Sequence, residues 1–349
     1  MKVEGKLAMK FWKTAALASM VIALLFAVGC GSTAKQEKVV VVYTSVDQEH
    51  AEPILKKFSA ATGIKVLPVF DVEAAKTTGL VNRLIAEKNK PQADVFWNSE
   101  FMQTMLLKEK GVLAPYQSPI AKDLPADYRD SENFWTAFGG RARVLIVNTS
   151  LVKPEQYPKS IFDLVKTEYP GKDSAIAYPM FGTTATHAAA LYAALGPEKG
   201  KKYFTDLKAN QVQIVDGNSV VRDLVAQGKL KMGLTDSDDA CGAVKKGAPV
   251  KVIIPDQDGF GTLVVPNTVA MIAGAPHPDT AKVLIDYLLS KENEEELMKI
   301  GFNQVSTRNI GNSGSCLEQK EIQRMKVDFP SVYRQLAAVK QELAEVFVR

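Results

Sequence analysis

Residues that usually carry catalysis or bind transition metals are scarce in this chain. Its 349 residues include three cysteines and three histidines, namely His50, His187 and His277. No Gly-x-Ser-x-Gly, His-Glu-x-x-His or Cys-x-x-Cys pattern occurs, so the common hydrolase, zinc-protease and thiol-redox sites have no support. No Gly-x-Gly-x-x-Gly follows the first predicted strand, which leaves a dinucleotide-binding fold without specific support. These absences argue against an enzyme, and we predict no cofactor.

One apolar run stands out, at the N terminus. It extends from Thr14 to Val28, follows four lysines and ends in "AVGC". The run is shorter than the about 20 residues that a membrane-spanning helix needs, and a basic start with small residues before a cut site is typical of a secretory signal. The cysteine after the glycine resembles a bacterial lipobox. We therefore predict a lipoprotein signal peptide over 1–29, with Cys30 as the lipidated residue. The alternative is a simple signal with an incidental cysteine.

Charge of one sign does not dominate the chain. The formal net charge is +4, and residues 1–29 carry four lysines and one glutamate, a net +3, so the cleaved chain is near +1. A near-neutral chain lacks the basic footprint of a nucleic-acid binder, and we predict no nucleic-acid partner.

Residues 30–37 are small and polar, which predicts a flexible tether. Cys241 and Cys316 then remain, either as a disulfide in an oxidising compartment or as two separate thiols.

Strand and helix patterns alternate strictly through the first part of the chain. Apolar runs of strand type, "KVVVVY", "IKVLPVF" and "ADVFW", are each followed by a helical pattern. This order predicts a parallel sheet with helices on its faces. A second α/β set begins at "SAIAYPMF". The chain ends in two helical stretches, "PDTAKVLIDYLLSKENEEELMKIG" and "FPSVYRQLAAVKQELAEVF".

Small polar residues end several predicted strands or begin the helices that follow them. Ligands of open α/β sheets bind beyond the carboxyl ends of strands, at helix N-termini. We therefore predict a shared anion site, although each residue alone would suit an ordinary helix cap. His187 lies just past a Thr-rich helix start, where it either contacts the ligand or packs. The candidate residues of this kind are Thr44, Ser45, Thr77, Asn98, Thr183 and Thr184.

Several stretches together resemble the extracellular solute-binding proteins of ABC importers, in the subgroup that includes ferric-iron binders. They occur in the family's order and cover roughly residues 38 to 310. They read "VVVYTSVDQEHAEPILKKFSAATGIKV", "QADVFWNSE", "GRARVLIVNTSLV" and "PNTVAMIAGAPHPDTAKVLIDYLLS". The resemblance implies an α/β, two-lobed fold of the periplasmic-binding-protein type II, with two strand crossovers as its hinge. It places lobe 1 at 38–143 plus 268–349 and lobe 2 at 144–267.

Three carboxylates are crowded into the stretch "GLTDSDDA". They are Asp236, Asp238 and Asp239. In the ferric-iron binders that the chain resembles, this place carries a pair of metal-binding tyrosines, which are missing here. Three interpretations stay open. The acids cap the next helix, or they hold a hard cation, or one of them clamps the ammonium group of a small zwitterion whose anionic end binds the helix starts.

The resemblance implies a substrate-binding lipoprotein of an ABC importer, with the permease subunits as its partners. It implies a monomer outside the cytoplasm, held at the membrane through its lipid anchor. The ligand is either of the iron or other metal type, or anionic or zwitterionic, such as a phosphonate. Two other functions stay open. One is a secreted enzyme that uses the three acids with His187, and the other is a sensor subunit that reports ligand to a kinase.

Overall fold

The order of strands and helices follows the alternation that the sequence predicts. The structure is a computed structural model. It describes residues 38–71, 78–308, 310, 316–317 and 321–348. The predicted signal peptide, the predicted lipidation site Cys30, the whole predicted tether and the candidate ligand residue Thr77 lie outside the described residues.

Ten strands and ten α-helices occur in the described part of the chain. The strands are β1 (Val39–Thr44), β2 (Lys65–Phe70), β3 (Val95–Asn98), β4 (Leu113–Ala114), β5 (Thr136–Asn148), β6 (Ser174–Ala177), β7 (Gln213–Val215), β8 (Met232–Asp236), β9 (Val250–Ile253) and β10 (Val264–Ile272). The helices are α1 (Gln48–Thr62), α2 (Gly79–Ala86), α3 (Met102–Glu109), α4 (Gly182–Leu195), α5 (Pro197–Ala209), α6 (Asn218–Ala226), α7 (Ser237–Lys245), α8 (Pro278–Leu288), α9 (Lys291–Lys299) and α10 (Phe329–Val346). Short 3-10 helices lie at Pro119–Asp123, Ala126–Tyr128, Pro154–Gln156, Ile161–Val165 and Gly171–Asp173.

The strands join in the order β2-β1-β3-β10-β5-β8-β6-β7, with β4 on β10 and β9 on β5. The pairs β1–β2 and β1–β3 are parallel, as the β-α-β order predicts. The pairs β6–β7 and β6–β8 are parallel as well. The two parallel sets are joined through β10 and β5, which pair antiparallel with their neighbours. We call β1–β4 with β10 the first half of the sheet, and β6–β9 the second half.

Strand β5 belongs to both halves. Its residues up to Ala142 pair with β10, and its residues from Arg143 onward pair with β8 and β9. All thirteen of its residues are buried, because helices and loops cover both faces of the strand. The change of partner falls between Ala142 and Arg143, next to the predicted boundary between lobes 1 and 2. The lobe boundaries themselves stay a prediction.

Helix α1 shows why the first part of the chain was predictable. Its buried residues recur at helical spacing and face β1, and they are Ala51, Ile54, Leu55 and Phe58. Gly63 ends the helix in the left-handed region, at φ 69°, and its N–H bonds the carbonyl of Ser59. A glycine adopts this conformation without the Cβ clash that other residues suffer. The sequence therefore determines both the helix and its end.

The C-terminal elements depart from the expected pattern at one point. The stretch expected as a single helix is divided into α8 and α9 at Ser290, whose side chain accepts a hydrogen bond from the N–H of Asn293 and so caps a new helix. Helix α10 packs against α4 and α5. None of the described helices combines the length and apolar character that a membrane crossing requires.

Cys241 and Cys316 form a disulfide with their Cα atoms 5.4 Å apart. The oxidised alternative of the two that the sequence left open is therefore the one observed. Cys241 lies on α7, and the bond ties this helix to the segment that precedes α10.

Candidate ligand site

The register of β5 and β8 creates the centre of the site. Arg143 lies directly opposite Asp236 in the antiparallel pair. Opposite residues on one face of such a pair are close enough for their side chains to meet. The Nη1 atom of Arg143 donates to Oδ1 of Asp236 at 2.6 Å, and the Arg143 side chain is fully buried. Two residues that are 93 positions apart in the sequence thus form a buried ion pair.

Two helix N-termini meet at this ion pair. Thr183 at the start of α4 donates to Oδ2 of Asp236 at 2.6 Å, and Asn218 at the start of α6 donates to the same oxygen at 3.1 Å. Arg143 in turn donates to the side chains of Thr183 and Asn218, at 3.2 and 3.0 Å, and to Thr184 at 3.4 Å. The carboxylate of Asp236 therefore accepts a hydrogen bond from the hydroxyl of Thr183, which the sequence assigned to a ligand anion.

A second arginine connects the acids to the first half of the sheet. Arg141 lies two positions before Arg143 on β5, and its Nη1 atom is 3.3 Å from Oδ2 of Asp238 and 3.8 Å from Asp236. Its Nη2 atom donates to the carbonyl of Ser99, after β3, at 2.7 Å. The guanidinium also lies 5.8 Å from the ring centre of Phe302, within the range of a cation–π contact.

Asp239, the third acid, forms an ion pair with a separate arginine. Nη1 of Arg222, on α6, donates to Oδ1 of Asp239 at 3.0 Å. Asp236, Asp238 and Asp239 can bring one oxygen each within 4.8 Å of one another. Three arginines from β5 and α6 therefore balance three carboxylates. A cation would have to compete with these arginines for oxygens that already have charged partners.

Burial and the neighbouring charges set the pKa values of the three acids apart. Burial acts to raise the pKa of Asp236, but Arg143 and Arg141 outweigh it, so that pKa lies below its ordinary value. Burial raises the pKa of Asp238, and Arg141 offsets only part of the rise. Burial and the charges of Asp238 and Asp236 hold the pKa of Asp239 well above its ordinary value. The cluster thus keeps one firmly ionised acid, Asp236, beside two that take up protons more readily.

The pair of Arg141 and Asp238 has unused hydrogen-bonding capacity. Oδ1 of Asp238 and Nε of Arg141 are both buried, and neither has a hydrogen-bond partner among the described residues. A buried polar atom without a partner is costly and rare in native proteins. One unused acceptor and one unused donor on the same ion pair suit a ligand that carries groups of both kinds.

The candidate residues at the ends of β1 and β3 form a second network. Ser45 donates to the side-chain oxygen of Asn98 at 2.6 Å, and Asn98 donates to Glu100 at 3.2 Å. Glu100 also accepts from Thr186 on α4, at 3.4 Å, and thereby reaches the second half of the sheet. Burial raises the pKa of Glu100. Thr44 accepts from the N–H of Val46 at 3.1 Å and shapes the turn after β1.

His187 is buried inside α4 near the Arg143–Asp236 pair. Burial and the charge of Arg143 lower its pKa to about 3, although Asp236 opposes the shift. The imidazole is therefore neutral at physiological pH.

Sequence reasoning missed the three arginines, Asn218 and Glu100. A signal was present for two of the arginines, because "GRARV" alternates arginine with small residues just before a buried strand run. Charged residues that point to one face of such a strand need partners. The ligand-binding roles of Thr44, Ser45, Asn98, Thr183, Thr184, His187 and the three acids stay predictions, as does that of Thr77.

Comparison with known proteins identifies the family. A family model described as "Bacterial extracellular solute-binding protein" matches residues 90–329. The chain belongs to this family. A ferric binding protein from Campylobacter jejuni has the same fold, with a TM-score of 0.78 at 22% identity over 89% of this chain and 100% of that one. This likeness confirms the predicted two-lobed fold of the periplasmic binding proteins.

Two curated relatives of this solute-binding protein are periplasmic binding proteins by name, and one of the names includes a ligand. A probable ABC transporter periplasmic-binding protein from Sinorhizobium fredii is 31% identical over 221 residues, which are 60% of this chain and 59% of the relative. A putative 2-aminoethylphosphonate-binding periplasmic protein from Salmonella typhimurium is 26% identical over 278 residues, 76% of this chain and 78% of the relative.

Proposed function

We propose that this solute-binding protein is the lipid-anchored substrate-binding subunit of an ABC importer and that its ligand is a small zwitterion with an anionic group and an ammonium group. The observation that carries the proposal is the buried pair of Arg141 and Asp238, with one unused donor and one unused acceptor. The free carboxylate oxygen suits an ammonium group, and the free guanidinium N–H suits an anion.

The protein delivers its ligand to the permease after the two lobes close. The ligand bridges lobe 1, at 38–143 plus 268–349, and lobe 2, at 144–267, and the permease recognises the closed form. A ligand favours closure only by the difference between its affinities for the closed and open forms. Arg141 contacts Ser99 in the first half of the sheet and Asp238 in the second. A ligand held by this pair therefore gains its contacts when the halves meet.

Isothermal titration calorimetry with 2-aminoethylphosphonate, methylphosphonate and Ca²⁺ tests the ligand class. The protein is first unfolded and refolded to remove any ligand carried through purification. We expect 2-aminoethylphosphonate to bind at least about tenfold more tightly than methylphosphonate, which lacks the ammonium group. Equal affinities for the two phosphonates would contradict a contact between Asp238 and the ammonium group of the ligand. Binding of Ca²⁺ alone would instead support the metal interpretation, which the closeness of the three acids favours.

Asp238→Asn is expected to weaken 2-aminoethylphosphonate binding by on the order of 2 kcal/mol, because the change removes the charge that faces the ammonium group. The melting temperature should fall less than on loss of the Arg143–Asp236 pair, because Arg141 keeps Asp236 at 3.8 Å and the carbonyl of Ser99 as partners. Asn is also tolerated at the start of a helix. The matched control is Asp223→Asn, an exposed position on α6. Unchanged affinity in the Asp238 variant, measured by calorimetry, would contradict the clamp.

Membrane attachment is tested separately at Cys30. Cys30→Ser should release the protein in soluble form, because the serine cannot receive the thioether-linked lipid. Fractionation of cells that express either form measures this directly. The lipid anchor is refuted if the serine variant stays in the membrane fraction and is still cleaved after Gly29.

A further inference from the structure

The C-terminal part of the chain contacts both halves of the sheet in turn. We call its described residues, 300–308, 310, 316–317 and 321–348, the C-terminal strap. The strap begins on the first half. The N–H groups of Gln304 and Val305 both donate to the carbonyl of Gly140 on β5, at 2.9 and 3.1 Å. Gly140 pairs with Pro266 on β10, so this contact belongs to the first half.

The strap next reaches the second half through the disulfide. Cys316 is bonded to Cys241 on α7, and Leu317 is buried in the same apolar cluster as Cys241 and Ala240. Cys241 lies three positions after Asp238, and residues three apart are neighbours on one helix face. The covalent bond therefore holds the helix turn that carries Asp238 and Asp239.

The strap then returns to the first half. Arg324 donates to the hydroxyl of Tyr128 at 2.8 Å. The ring of Phe329, at the start of α10, lies 4.4 Å from the ring of Phe101 beside α3. The hydroxyl of Tyr333 donates to Glu109, the last residue of α3, at 2.6 Å. Helix α3 connects β3 to β4, and both strands lie in the first half.

Helix α10 ends on the second half. The hydroxyl of Tyr192 on α4 donates to Glu342 at 3.2 Å, and Lys208 on α5 donates to the carbonyl of Val346 at 2.6 Å. The ring of Phe347 meets that of Phe204 at 6.4 Å. Helices α4 and α5 connect β6 to β7, which both lie in the second half. The strap thus passes from one half to the other three times.

We propose that the C-terminal strap restrains opening of the two halves and that the Cys241–Cys316 disulfide positions the acid-bearing turn of α7 for ligand binding. Opening about β5 must strain or break the contacts of α10 at one of its ends. The disulfide prevents α7 from separating from the strap. The strap therefore raises the population of the closed form before ligand arrives, and a ligand that binds only this form has an apparent affinity that scales with that population.

Small-angle X-ray scattering without ligand tests the restraint. The Cys241→Ala/Cys316→Ala double variant is expected to show a larger radius of gyration than the wild type, and faster amide exchange along β5. The control is Lys202→Gln, which removes an exposed ion pair with Asp206 inside α5 and leaves the strap contacts in place. An unchanged radius of gyration and unchanged exchange in the double variant would overturn the proposal.

Two further samples keep the test decisive if the double variant does not fold. They are the wild type after mild reduction, and Tyr192→Phe/Lys208→Gln, which loosens the end of α10 without touching the disulfide. Both should open relative to the wild type, and the absence of opening in both would overturn the proposal.

The positioning role of the disulfide has its own readout. It rests on the proposed function and is measured with 2-aminoethylphosphonate as the probe. If the closed population falls tenfold, this loss alone lowers the affinity of the double variant about tenfold. A larger fall is expected from positioning, and a fall of only about tenfold would refute positioning but keep the restraint. If the wild type itself does not bind the probe, the proposed ligand is wrong, and the scattering experiment still decides the restraint.

Discussion

Asp236→Asn is expected to destabilise the protein by about 3–5 kcal/mol, because it leaves a buried charge without its partner. Arg143 is fully buried, and Asp236 is its only carboxylate partner among the described residues. The variant also places an amide N–H₂ where Thr183 and Asn218 now donate. Urea denaturation measures the loss.

Two companion variants separate the loss of the ion pair from other effects. Asp239→Asn is the matched control, because its partner Arg222 is 23% exposed and can be hydrated when the pair is lost. A change within about 1 kcal/mol is expected there. Arg143→Met combined with Asp236→Asn should recover part of the stability, since a buried charge no longer lacks a partner. If Asp236→Asn is as stable as the wild type, the ion pair does not support the fold.

The second large effect concerns the stability of the protein in acid. The pKa of His187 is lowered to about 3 in the folded protein, against about 6.5 in the unfolded chain. Between these pH values His187 is protonated in the unfolded chain but neutral in the folded protein. Stability therefore falls as the pH drops from about 6.5 towards 3, with a slope of up to about 1.4 kcal/mol per pH unit from this residue.

The contribution of His187 can be isolated by comparing variants. His187→Gln should reduce the slope of the free energy of unfolding between pH 6 and pH 4, as measured by urea denaturation. The comparison with wild type is needed because Glu100, Asp238 and Asp239 have raised pKa values and act in the opposite direction. His277→Gln is the control, since that side chain is 43% exposed. An identical slope in His187→Gln and wild type would show that folding does not lower the pKa of His187.

The fold was largely predictable, because its signals are local. The apolar spacing of α1 and the glycine at position 63 specify a helix and its end within sixteen residues. The alternation of strands and helices likewise predicts parallel pairing, since short connections through a helix return the chain in the same direction. The division at Ser290 was missed, because a capping hydroxyl in an otherwise helical pattern is a weak signal.

The candidate site was predictable only in part. The sequence located Asp236, Asp238 and Asp239 and the threonines at the start of α4, and the structure brings Asp236 together with Thr183. The sequence did not indicate that the three acids form ion pairs with arginines. Arg143 reaches Asp236 only because β5 and β8 pair in one particular register, and Arg222 comes from a different helix.

The sequence by itself determined the family, the alternation of strands and helices, and the positions of the acidic and hydroxylated residues, because each depends on neighbours along the chain. Only the tertiary structure decided that the carboxylates are neutralised by Arg141, Arg143 and Arg222, and that Cys241 and Cys316, 75 residues apart, are bonded. Charge pairing and disulfide formation depend on distances across strands and between distant segments. Packing of the whole chain sets these distances, and no local pattern encodes them.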